Sequence, residues 1–140
     1  MNAIIGKEFP KKVIPLIDAA KKSIDIIVFD WRWYAQDPGA SVQIFNQAVV
    51  RAAKRGIRVR AVVNSDVILN TLLSCGILAK RVKFKNLLHV KLMIIDDEVV
   101  ILGSHNYTQS AFNVNLELSV ILADVGPQLQ FINFFNSIYG

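Results

Sequence analysis

Residues 87–106, LLHVKLMIIDDEVVILGSHN, read as two short strands joined by a tight turn. The apolar run Leu87–Ile95 is broken only by His89 and Lys91. Asp96-Asp97-Glu98 forms the turn, and Val99–Leu102 returns, ending at Gly103. Side chains two apart on a strand share a face. His89 and Lys91 therefore project together, about 6.6 Å apart along the strand at the usual rise. Asp96 has the opposite parity and points elsewhere. A buried-type strand that gives two positions to a titratable base and a cation needs a reason, because unpaired buried charge is expensive. A strand edge meeting solvent is one reason; an anion site is the other.

The residues that follow favour the anion site. Ser104 and Asn106 are again two apart, and Asn115, Glu117 and Ser119 alternate with apolar neighbours so as to share a face. These elements together offer an imidazole, an ammonium, hydroxyls, amides and a carboxylate. That inventory suits phosphate chemistry: a nucleophile or base, donors for the non-bridging oxygens, and an acid to orient the imidazole.

Working outward, Lys7–Ser23 has a helical stripe of Val13, Leu16, Ile17 and Ala20, with Pro10 in its first turn and Pro15 poorly placed inside it. Ile24–Phe29 is a buried strand. Asp30-Trp31-Arg32-Trp33-Tyr34 and a loop through Asp37-Pro38-Gly39 follow. Ser41 can cap a helix to Arg55 that turns Val42, Phe45, Val49 and Ala52 inward, with Gly56 ending it. Ile57–Val63 reads as a second buried strand, Asp66–Ser74 as a short helix and Arg81–Lys85 as a short strand. Beyond the central hairpin come a connecting turn at Tyr107–Phe112, a strand at Leu116–Ala123 and a helix at Pro127–Ile138. Strands alternating with helices predict one α/β domain over residues 1–140, a layered α/β/α sandwich with a mixed, largely parallel sheet.

At 140 residues, with 53% apolar residues, the chain can bury a real core, and its mean hydropathy of +0.38 points to further burial in an oligomer. No apolar run approaches the ~18 residues of a spanning helix. MNAIIGKEFPKK lacks the charged start and long apolar core of a signal peptide. A cytoplasmic location is expected if the chain is complete, and an exported or periplasmic one if a signal peptide has been removed. The one cysteine, Cys75, excludes an intrachain disulfide and a cysteine-based zinc site. A net charge of +5 leans mildly towards an anionic partner.

The pattern His89-x-Lys91-x4-Asp96-x6-Gly103-Ser104-x-Asn106, followed by Asn115-x-Glu117, resembles the signature of the phospholipase D superfamily. The order of elements from about residue 10 to 123 agrees with it. In that family two such motifs meet at one site: one histidine attacks phosphorus to give a phosphohistidine, and the other protonates the leaving oxygen and then activates water. This chain carries one motif, so the resemblance implies a homodimer joining two copies of His89 across a two-fold axis. It is similar to the single-motif branch of small bacterial nucleases and the mitochondrial cardiolipin-linked phosphodiesterase.

The resemblance also assigns roles. His89 would be nucleophile in one subunit and acid/base in the other. Lys91 and Asn106 would hold phosphate oxygens, with Ser104 as a supporting donor, and Glu117 would hold the second ring nitrogen of His89. Asp96, Gly103 and Asn115 complete the motif structurally, Asp96 by pinning the turn. An intrachain pair of His89 with His105, the only other histidine, would remove the need for a dimer, but the parity of His105 opposes that of Ser104 and Asn106. Trp31, Arg32, Trp33 and Tyr34 lie where the family has the mouth of its site. Their aromatics can stack on bases, line an interface or be core.

Two histidines and a turn of acids make a thin ligand set, so no metal and no cofactor is expected. The expectation is a metal-independent phosphodiesterase, foremost an endonuclease-like enzyme acting on DNA or RNA as a homodimer. A lipid phosphodiesterase and a catalytically silent nucleic-acid-binding module are its rivals.

Overall fold

A computed structural model describes residues 1–140. Its centre is β2 (Ser23–Val28), whose six residues are all buried. Ile24, Ile26 and Val28 enter the main core, and Ile27 enters a smaller one on the opposite face. Asp25 is the one charge on this strand. It is 1% exposed and accepts two hydrogen bonds from Arg60, at 2.8 and 2.9 Å. A carboxylate can lie in a central strand only with such a fixed counter-charge.

The seven strands run in the order β1-β7-β6-β5-β2-β3-β4. They are β1 (Asn2–Ile5), β2, β3 (Arg58–Val63), β4 (Leu78–Arg81), β5 (Lys91–Ile95), β6 (Val99–Gly103) and β7 (Leu118–Leu122). The sheet is mixed, as expected, but it is not largely parallel. Only β2 with β3 and β3 with β4 pair in parallel; the other four pairings are antiparallel. β5 and β6 form a hairpin whose three-residue turn permits no parallel crossover, and β7 returns antiparallel to β6 after a short helix.

Helices α1 (Glu8–Asp18), α2 (Ser41–Lys54), α3 (Asp66–Ser74) and the short α4 (Gln109–Asn113) pack into the main core; α5 (Leu129–Tyr139) covers the other face. Val42, Phe45, Val49 and Ala52 of α2 are all fully buried, at the helical spacing expected of its inward face. Each such Val or Phe contributes about 1.5–3 kcal/mol by leaving water. Ser41 does not cap α2. Ala40 takes that place, and the Oε1 of Gln109 accepts from the Val42 N–H (3.0 Å) and the Ser41 hydroxyl (3.0 Å). The helix start is thus satisfied from α4, a partner that local sequence does not reveal.

Several elements also differ from expectation: α1 ends at Asp18 rather than Ser23, and the connecting turn expected at Tyr107–Phe112 runs into α4. The hairpin's first strand starts at Lys91, not Leu87, so His89 lies in irregular chain just outside the sheet. The strand expected at Arg81–Lys85 is instead Leu78–Arg81, because the chain leaves β3 after four paired residues. Finally β1, which buries only Ile4, caps the sheet edge at β7.

Asp96 and Asp97 take positive φ (54° and 61°) at the hairpin turn, a region that Asp tolerates better than most residues. The Asp96 carboxylate anchors the turn through distant backbone rather than through the turn's own N–H groups. It accepts from the backbone N–H groups of Lys21 (2.9 Å), Lys22 (2.7 Å) and Ser23 (3.0 Å), tying the turn to the start of β2. Burial pushes its pKa up, but these three donors outweigh it and hold the group below the ordinary 3.8. A lowered native pKa means stability that is present above the unfolded value and lost as pH falls through the native one. Asp96→Asn is expected to lower unfolding free energy at neutral pH by about 1–3 kcal/mol. It should also flatten the acid limb of stability below pH 3.8. Urea melts across pH measure both, and an unchanged acid limb would contradict the assignment.

Candidate active site

The parallel strands β2 and β3 end side by side at Val28 and Val63, and the motif residues gather beyond that edge, the usual place for a site in an α/β sheet. Lys91 opens β5 opposite Val28. Its ammonium donates to the His89 carbonyl (3.0 Å) and lies 3.0 Å from both ring nitrogens of His89. An atom equidistant from the two nitrogens is in line with neither lone pair, so the imidazole remains free to act outward. The His89 ring is exposed and packs on Phe29 at 4.9 Å between centroids. Burial pulls the Lys91 ammonium below its ordinary range, against the pull of Glu117. His89, Lys91 and Gly103 line one side of an open cavity of about 440 Å³, with Phe131 and Phe134 of α5 on the other.

Ser104 is placed by reciprocal backbone bonding: its N–H donates to the Leu118 carbonyl, and its Oγ accepts from the Leu118 N–H, both at 3.0 Å. That hydroxyl donates to Oε1 of Glu117 at 2.5 Å, while Asn115 Nδ2 donates to Oε2 at 3.0 Å. The expected contact between Glu117 and His89 is therefore not made within one chain, because Ser104 and Asn115 hold the carboxylate. Asn106 Oδ1 accepts from the Asp30 N–H (3.1 Å), which fixes the amide and leaves its NH2 group as the donor.

His105 does not join the site. It is 1% exposed, stacked on Phe9 at 4.6 Å. Its Nε2–H donates to the Gly6 carbonyl (2.8 Å), and Nδ1 accepts from the Ser119 hydroxyl (2.7 Å). Burial pulls its pKa below the ordinary 6.5, opposed by Gly6 and Glu117. With both nitrogens taken, it cannot pair with His89.

Trp31 is mostly core, with only its residual surface on a cavity wall. It is 5% exposed, and its indole N–H donates to Asn46 at 2.7 Å. Arg32 is exposed and bound to Asp30 (2.8 Å), and Trp33 is half-buried. Both line a separate cavity of about 420 Å³ with Phe29, Asp30 and Asn64. Sequence reasoning did not single out Phe29 or Asn64. The signal was available, since each follows directly on a buried parallel strand. Asn64 Nδ2 donates to the carbonyls of Phe29 (3.2 Å) and Leu88 (3.4 Å) and so joins the ends of β2 and β3 to the His89 segment.

Gly103 governs the approach of β6 to β7. Its φ is +155°, and a Cβ there would lie 2.4 Å from Cα and Oγ of Ser119 and 2.6 Å from the Leu118 carbonyl oxygen. Gly103→Ala must push β7 away and loosen the Ser119 bond to His105. It is expected to cost about 2–4 kcal/mol from overpacking and backbone strain, read by denaturant melts. A loss under 0.5 kcal/mol, the usual size at an unconstrained surface position, would show that the strands part freely.

Residues 13–139 match the family model described as cardiolipin synthase, PLD-like domain. The chain belongs to that family. Among curated relatives, the human mitochondrial cardiolipin hydrolase is 27% identical over 140 residues, covering 96% of this chain and 52% of the relative. The chain thus spans about half the length of the curated relatives it matches. Among solved structures, Nuc from Salmonella typhimurium, a phospholipase D family member, superposes with a TM-score of 0.80 at 24% identity. The match covers 98% of this chain and 93% of Nuc. NucT from Helicobacter pylori gives 0.76 at 20% identity, covering 97% and 92%. At such identities the likeness establishes the fold, and in this PLD-like domain it agrees with the seven-stranded mixed sheet. No helix is long and apolar enough to cross a membrane.

Proposed function

We propose that this PLD-like domain is a metal-independent phosphodiester hydrolase, foremost a nuclease, working through a phosphohistidine at a site completed by a second copy of the chain. The observation that carries this reading is the contrast between the two histidines. His89 is exposed beside Lys91, whereas His105 is buried with both nitrogens bonded. One chain therefore offers one free imidazole, and two-imidazole chemistry requires the partner subunit's His89.

In the first step a nitrogen lone pair of His89 attacks phosphorus. The bond to the leaving oxygen breaks, and that oxygen takes a proton from the partner's His89. The partner imidazole, now neutral, deprotonates water, which attacks phosphorus and releases His89. Lys91 and the NH2 group of Asn106 hold the non-bridging oxygens as charge builds. Glu117 orients the partner's His89, which accounts for its being held by Ser104 and Asn115 rather than by its own histidine. Asp96 is occupied by three backbone donors and is not a metal ligand on this reading.

A lipid phosphodiester is the second reading, favoured by Phe131 and the partly exposed Phe134 across the cavity from His89. Incubation in excess chelator with single-stranded DNA, RNA, plasmid, a phosphodiester reporter and cardiolipin vesicles tests both. Nucleic-acid and reporter cleavage are expected. Cleavage of lipid alone would favour the second reading, activity restored only by a divalent ion would overturn the metal-free one, and no cleavage at all would leave a silent binding module.

A further inference from the structure

The chain between β4 and β5 leaves the sheet, and Val82 and Leu88 anchor its two ends in the smaller core. Between these anchors Lys83, Phe84 and Lys85 are exposed, Phe84 to 46%. Eight cations elsewhere are engaged: Lys12, Arg32, Arg51, Arg58, Arg60 and Arg81 in ion pairs, Arg55 and Lys80 on backbone carbonyls. Lys83 and Lys85, like Lys7, Lys11, Lys21, Lys22 and Lys54, are in none of these interactions, and what sets this pair apart is the ring between them. The fold leaves that ring in water. The segment walls an open groove of about 420 Å³ that also includes Asn64 and Leu88. Asn64 bonds the Leu88 carbonyl, one residue before His89, so the groove runs to the catalytic edge.

We infer that Lys83, Phe84 and Lys85 form a second, non-catalytic binding site for a single-stranded nucleic acid, away from the scissile phosphate. This rests on the nuclease reading and adds to it where the strand lies. The two ammonium groups meet successive phosphates, and the Phe84 ring stacks on the base between them. A duplex keeps its base faces stacked on one another, so the ring has nothing to receive there. Lipid headgroups would engage the cations but give the ring no flat partner.

The test uses the full chain in chelator with an oligothymidylate, the same length of abasic strand, and a small phosphodiester reporter too short to reach the groove. Phe84→Ala is expected to weaken binding of the oligothymidylate roughly 5- to 150-fold, the range for one lost base stack, and to leave abasic binding unchanged. Lys83→Gln with Lys85→Gln should reduce the slope of log affinity against log salt by about 1.4, the single-strand value for two lost phosphate contacts. Reporter turnover and oligomeric state should match wild type in both variants. If wild type cleaves the oligonucleotide and the variants bind and cleave it equally well, the second site is wrong and the nuclease reading stands. If wild type turns over the reporter but no nucleic acid, the nuclease reading fails and the second site with it. If the variants dissociate and lose reporter turnover, the loop is a subunit contact, and the inference is overturned.

Discussion

His89→Ala is expected to lose phosphodiester turnover by on the order of 10^4-fold or more, as when a covalent nucleophile is removed, while unfolding free energy stays within about 0.5 kcal/mol of wild type. The two expectations are separable because of where the residue lies. The ring is exposed outside the sheet, touches Lys91 and Phe29, and belongs to neither core. Its removal therefore opens no cavity. The backbone carbonyl that receives the Lys91 ammonium is retained by alanine, so Lys91 keeps its anchor. Reporter hydrolysis and a urea melt on the same preparation decide the matter. Substantial turnover in a folded variant would rule out His89 as nucleophile, and a large loss of stability would mean that the ring supports the fold.

The order of elements was legible in the chain because the central strands are apolar enough to be unmistakable. The six buried residues of β2 and the inward stripe of α2 declare themselves by composition and period. The motif was legible too: Lys91 contacts His89, and Gly103 lines the same cavity, while Ser104 and Asn115 gather on Glu117. What escaped is what depends on partners distant in sequence. The Asp96 carboxylate reaches back about seventy-five residues to Lys21. Trp31 is drawn into the core because Asn46, on α2, satisfies its indole. β1 carries a single buried residue, too weak a pattern to read as a strand. Parity placed His89 and Lys91 together correctly, although His89 is not in the strand at all. A lysine side chain folding back onto its neighbour's carbonyl brings them together instead. Glu117 shows the opposite failure. A carboxylate on the right face is not thereby bonded to the histidine, since Ser104 and Asn115 compete for it at shorter range in sequence.

Mixing wild type with His89→Ala at fixed total protein, with full subunit exchange, is expected to reduce activity as the square of the wild-type fraction. Each site then needs His89 from both chains, and only wild-type homodimers retain a complete pair. At equal mixing about one quarter of the rate survives, against about one half if each chain carries its own site; at one part wild type in ten the values are about one hundredth and about one tenth. The argument for the square law comes from the chain itself: its second histidine is 1% exposed, stacked on Phe9 and bonded at both nitrogens, so no second imidazole can be recruited within it. Exchange has to be demonstrated with a tagged subunit, because frozen dimers reproduce the linear law. A linear response with proven exchange would place a complete site in each chain. His89 would then have to act with a non-histidine acid, and Lys91, its nearest ionisable neighbour and one whose ammonium burial already makes easier to deprotonate, would become the first residue to test in that role.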